Sequence, residues 1–188
     1  MPLADAIKAL YGALRMARFD ADGMQFFDQT PTGFWRSFFA AVVVSPLYLG
    51  LVLVRYDLAG YTATPMARYL TVEIVAYIIA WVAFPVVMDR VVQIIDRDRH
   101  YIRFIVAYNW SSVLQNAVYL PVILFGTIGV MTADNANGIA FVALIWVLVY
   151  SWFVTRTALD VKAPMAAVIV LVDLMLSVVV NSLADSMI

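Results

Sequence analysis

Seventeen consecutive residues, Phe38 to Val54, carry no charge, and four further stretches of the chain are nearly as apolar. Runs of this kind leave few folds open. A backbone in hydrocarbon has no water to bond, so only helices and closed barrels can cross a bilayer. A helix needs about 20 apolar residues to do so. Barrel strands would instead alternate apolar and polar positions over roughly ten residues. The unbroken runs here predict helices. Composition agrees, because 64% of the residues are hydrophobic and 13% charged, with a mean hydropathy of +0.89. Soluble domains sit near a quarter charged, and so few charges could not cover a water-soluble surface of this length.

The runs predict an all-α, polytopic transmembrane bundle of about five spans. The first covers about Phe38 to Val54, the second Tyr69 to Met88, the fourth Gly138 to Val154 and the fifth Pro164 to Leu183. A third segment runs from Tyr101 to Met131. From Phe104 to Met131 it would measure about 42 Å as one helix, well beyond a core of about 30 Å. It also holds Asn109, Ser111, Ser112, Gln115, Asn116 and Pro121. Two alternatives stay open: one long tilted span, or an interfacial or re-entrant helix over 101–116 followed by a short span beyond a proline-marked bend.

Basic residues predict the orientation. Lys8, Arg15, Arg18 and Arg36 precede the first span; Arg90, Arg97, Arg99 and Arg103 follow the second; Arg156 and Lys162 follow the fourth. Only Arg55 and Arg68 fall on the other side. Because Lys and Arg accumulate in cytoplasmic loops, the N-terminus is expected in the cytoplasm and the C-terminus outside. Arginine outnumbers lysine ten to two, a coding habit that points to a GC-rich bacterium and so to a bacterial inner membrane.

Two parts are expected. Residues 1–37 read as a cytoplasmic or interfacial segment, and 38–188 as the transmembrane domain. Charged residues from Asp5 to Asp28 leave no apolar core of signal-peptide length. Leu3, Ile7, Leu10, Tyr11 and Leu14 recur at helical spacing, with Asp5, Lys8 and Arg15 off that face. Such a helix could lie on the membrane or pack on the protein's own loops.

Ionisable groups inside spans are costly and mark functional candidates. Asp173 falls near the middle of the fifth span. Glu73, the only glutamate, falls about one turn inside the outer end of the second, within reach of headgroups. Asp173, Ser177 and Asn181 share one helical face, as do Asn109, Ser112 and Asn116, with Gln115 beside them. The plainest role for two such stripes is hydrogen bonding between helices, worth about 1 kcal/mol each in lipid. A proton or solute pathway and a docking face for another membrane subunit are the sharper ones.

Catalytic chemistry is thinly represented. There is no cysteine, hence no disulfide or thiolate site. His100 is the single histidine and lies outside the spans, which argues against haem ligation and a serine triad. No catalytic, cofactor or metal residues are assigned. A near-balanced charge of −1 gives no reason to expect a nucleic-acid partner.

The run Phe26-Phe27-Asp28-Gln29-Thr30-Pro31 before the first span, the run Phe104-Ile105-Val106-Ala107-Tyr108-Asn109-Trp110 followed by Pro121, and the layout of a cytoplasmic segment with five close-spaced helices resemble the Yip1-like family. The resemblance covers most of the chain through hydropathy and spacing, and no diagnostic motif matches residue by residue. It implies a non-enzymatic membrane protein that works through partners or lipids. The expected function is thus a non-catalytic accessory, scaffold or assembly component, contacting the bilayer and another membrane protein or a second copy. The alternative is a small-solute or proton-coupled transporter or channel built on Asp173 and residues 109–116. An intramembrane enzyme acting on lipid would need a nucleophile–base pair that is not visible.

Overall fold

The structure is a computed structural model and describes residues 3–59 and 64–188. Seven α-helices and two short 3-10 turns make up the secondary structure of these residues, with no strand among them. Helix α1 (Leu3–Ala17) leads through a 3-10 turn (Ala21–Phe26) into α2 (Pro31–Ser37). Then come α3 (Phe39–Ala59), α4 (Met66–Ile94), α5 (Tyr101–Thr127), α6 (Ala133–Leu159) and α7 (Ala163–Met187). A second 3-10 turn, Asp98–His100, joins α4 to α5.

Four helical stretches are long and apolar enough to cross a membrane: Pro31–Leu58, Met66–Ile94, Ala133–Leu159 and Ala163–Met187. They contain the first, second, fourth and fifth predicted runs. They also extend beyond them, because helix geometry tolerates polar and charged ends that a hydropathy reading trims. The third segment is α5, an unbroken helix of 27 residues. No interruption separates its two halves, so the segment is one helical piece rather than two. Pro121 sits inside the helix.

Local chemistry explains several boundaries. Thr30 caps α2, its Oγ1 accepting from the Gly33 N–H at 3.1 Å, and Pro31 takes the first helical position, where its missing N–H is harmless. Asp160 ends α6 in the left-handed conformation, φ 53°, which a short polar side chain tolerates. Within α3, Pro46 leaves the Val42 carbonyl without its usual N–H partner. The neighbouring Ser45 hydroxyl donates to that carbonyl at 3.0 Å. A polar atom freed in a span is thereby satisfied within the same helix.

Helix α5 is the axis of the bundle. It packs along α3 and α6, touches α4, and carries α1 and α2 on its N-terminal half, while α7 packs along α4 and α6. Phe104, Ile105, Val106, Ala107, Asn109 and Trp110 are all buried. One apolar core runs from Ala6 and Met16 through Val44, Phe84 and Trp110 to Val154 and Ile169, so residues 1–37 and the longer helices share it. At one end of the bundle, Arg97 donates to the Asp160 carbonyl and Arg103 to that of Thr157. At the opposite end, the Thr64 hydroxyl donates to the Ile188 carbonyl and Arg68 to that of Met187. Large apolar residues face outward along the long helices, Val42, Ile78, Val86, Phe141, Val168 and Val178 among them, as lipid-facing surfaces must.

Candidate functional site

The polar residues of α5 project in different directions, and each finds a separate partner. Asn109 faces α2, where its Nδ2 donates to Ser37 Oγ at 2.8 Å in a fully buried contact. Ser37 in turn donates to the Phe34 carbonyl at 2.7 Å. Gln115 faces α6 and donates to Ser151 Oγ at 3.0 Å. Ser112 donates back to the Tyr108 carbonyl and Asn116 to the Ser112 carbonyl, both within the helix. These two bonds therefore close within α5.

Tyr108 reaches Asp173. Its hydroxyl donates to Asp173 Oδ1 at 2.9 Å, in a pocket walled by Phe84 and Phe104, whose rings lie 4.6 and 6.0 Å from the Tyr108 ring. The expected pairing of two polar stripes across the bundle does not form. Helix α7 packs mainly on α4 and α6, and the long side chain of Tyr108 reaches it from α5. Ser177 and Asn181 are exposed, and Asn181 donates to the Ser177 carbonyl one turn back.

Glu73 also has a tyrosine partner. Tyr48 of α3 donates to Glu73 Oε2 at 2.6 Å, and its ring stacks on Tyr77 at 4.5 Å. The Tyr77 hydroxyl donates to the Ala41 carbonyl. The carboxylate thus ties α4 to α3 about 10 Å inside the end of α4, seven residues from Met66 at the standard rise. A third tyrosine, Tyr150, is fully buried. It donates to the Ala13 carbonyl at 2.7 Å and lies 2.9 Å from Ser111 Oγ. A phenol has one proton, so Ser111 supplies the second bond.

The tyrosines were the part the sequence concealed. Tyr108 and Tyr150 sit among other aromatics, and an aromatic belt or packing accounts for such a run without any hydroxyl role. A tyrosine far from either predicted interface, with a polar residue in another span, was the available signal.

His100 lies outside the spans, its Nδ1 3.1 Å from the Leu159 carbonyl. A carbonyl only accepts, so this nitrogen carries the hydrogen. Burial lowers the imidazole's proton affinity, and the charges of Arg99 and Arg103 act the same way. The residue ties the turn before α5 to the end of α6.

Chemically, the interior is a set of hydrogen-bonded pairs, each joining two elements or closing on its own helix. Among the described residues, no group of three or more His, Asp or Glu side chains converges as metal ligands do. One cavity of about 260 Å³ lies between α1, α2 and α5, lined by Asp5, Lys8, Arg36, Val106 and Trp110 among others. An apolar groove of about 290 Å³ between α6 and α7 is lined by Leu148, Trp152 and Leu171. Neither reaches Asp173. Comparison with protein-family models, curated proteins and solved structures gives no match.

Proposed function

We propose that this chain is a non-catalytic integral membrane protein, an accessory, scaffold or assembly component that acts through protein or lipid partners. The observation that carries the reading is the state of its polar interior. The side chains a catalytic or transport site would use are spent on pairwise bonds: Asp173 on Tyr108, Glu73 on Tyr48, Asn109 on Ser37 and Gln115 on Ser151. Such bonds hold helices together in lipid, at about 1 kcal/mol each. The reading includes five spans, with α5 as the polar one, an N-terminus in the cytoplasm, a C-terminus outside and a bacterial inner membrane. The charge asymmetry supports the orientation, and the length of α5, about 40 Å, supports its crossing. It agrees with what resemblance to the Yip1-like family implies.

Cross-linking with mass spectrometry in native membranes tests it. A reproducible membrane-protein neighbour, or a self-assembled oligomer, is the expected result. A solitary monomer under gentle extraction, with no cross-linked neighbour, would overturn the assignment.

A second reading rests on Asp173, the one acidic residue in the middle of a span, which a single hydroxyl contacts. A proton-coupled transporter could load such a carboxyl. In that case Asp173→Asn should abolish a proton-dependent flux in proteoliposomes while the protein stays folded. Equal flux, or none, with both proteins removes this reading.

A further inference from the structure

Helix α1 has three faces, and two of them are partnered among the described residues. Ala6, Ala9, Ala13 and Met16 form the first and are buried against the bundle. Asp5, Lys8 and Arg15 form the second: Asp5 pairs with Arg36 and Arg15 with Asp20, beside the polar 3-10 turn. Leu3, Ile7 and Leu14 form the third, and all three are exposed, whereas Leu10 packs on the core and Tyr11 sets its ring against Phe26 at 4.8 Å. At 100° per residue the faces lie about 120° apart.

The contacts along α1 fix its direction. Near its start Asp5 reaches α2, in the middle Ala9 borders a cavity shared with Val106 and Trp110 of α5, and near its end the Ala13 carbonyl takes the Tyr150 hydroxyl of α6. Beyond the helix, Phe19 sets its ring edge on Phe153 of α6 at 5.3 Å. The contact points on α5 and α6 lie roughly 8 to 15 Å from the helix ends at that side of the bundle, counting residues at 1.5 Å each. Meeting α2, then α5, then α6, the last two at similar depths, α1 runs across the long helices.

That depth is informative. Helices of 27 residues measure about 40 Å, some 10 Å more than a bilayer core. On the α1 side Arg103 and Arg156 stand about 3 to 5 Å inside the ends of α5 and α6, so the apolar core begins beyond them, at the level where α1 crosses. A helix lying there with the protein on one flank needs an apolar face toward the acyl chains and a charged face toward water. The three-way division of α1 supplies both. The charged face stays exposed at Lys8 and half-exposed at Asp5, and the apolar face lies about 120° from it. Trp35, 74% exposed one turn before α3, has the side chain favoured at that boundary.

We infer that α1 is an in-plane interfacial helix, held to the bundle by its alanine face and seated in the membrane by Leu3, Ile7 and Leu14. Its occupant is lipid, at the boundary between headgroups and acyl chains. This rests on the reading of the long helices as membrane spans, and the experiment separates the two. The chain has no cysteine, so single cysteines can be introduced and spin-labelled without background. Full-length protein carrying a label at Ile7, Leu14 or Lys8, with Val178 on α7 as a reference, is reconstituted into phosphatidylcholine–phosphatidylglycerol vesicles. Collision with dissolved oxygen, which partitions into lipid, is compared with collision with a water-soluble nickel chelate.

Labels at Ile7 and Leu14 should favour oxygen and the label at Lys8 the chelate, with the Val178 label deepest. If Ile7 and Leu14 match Lys8, the face lies in water and the inference is overturned. If both reagents are excluded there, a second copy covers the face and it is overturned as well. A Val178 label open to the chelate would instead overturn the spanning assignment of α7. Ile7→Glu should shift the neighbouring Leu14 label toward the chelate, since a charge cannot remain in the acyl boundary.

Discussion

Ser37 shows how much one hydroxyl can hold in this interior. It donates to the Phe34 carbonyl and accepts from Asn109, whose own Oδ1 is buried without a partner. Replacing Ser37 with alanine would strand the whole Asn109 amide away from water. An unsatisfied buried group costs about 1–3 kcal/mol, so Ser37→Ala should lower the thermal unfolding midpoint in detergent clearly. Ser177→Ala, at an exposed hydroxyl, should leave it nearly unchanged. Circular dichroism melts compare the two directly. The same contrast marks what was legible at this scale. Asp173, Asn109 and Gln115 stand out in a sequence because polar residues are rare inside spans. Their partners Tyr108, Ser37 and Ser151 do not, because tyrosine and serine are ordinary in apolar helices and pairing depends on which helices touch. Asp173, Ser177 and Asn181 share a phase on α7, but shared phase on one helix says nothing about the neighbour opposite it.

Among the elements, α1 is the most sequence-encoded and the most easily misread. Its leucines give the helical period, yet the face that packs on the protein is built from alanine and glycine. Gly12 and Gly23 explain the close fit of the 3-10 turn on α1. A Cβ on Gly23 would stand 2.6 Å from the Gly12 carbonyl oxygen and 2.8 Å from a Met16 side-chain atom. Backbone cannot give way as a side-chain tip can, so Gly23→Ala should cost about 1–3 kcal/mol. It should also expose the link to α2, which limited proteolysis between Phe19 and Thr30 would detect as faster cleavage. Equal cleavage of both proteins would mean that the turn is not anchored there. Helix α5 taught the opposite lesson. Its asparagines, glutamine and Pro121 argued for a break, whereas the helix is continuous because neighbours on α2 and α6 absorb the polar side chains.

For the whole molecule, hydropathy located four of the long helices and left the fifth open, since α5 is the buried axis and wears its polar groups inward. The proposed crossing of α5 rests on its length, about 40 Å, and on α1 and the C-terminal end of α7 lying at opposite ends of the bundle. Single cysteines at Asp98, in the turn before α5, and at Asp134, in the first turn of α6, test it with a membrane-impermeant maleimide on intact cells. Both sites are exposed, and no native cysteine competes. Labelling of the Asp134 site from outside, with the Asp98 site reacting only after permeabilisation, is the predicted result. Reaction of both sites from the same side would mean that α5 does not cross the membrane.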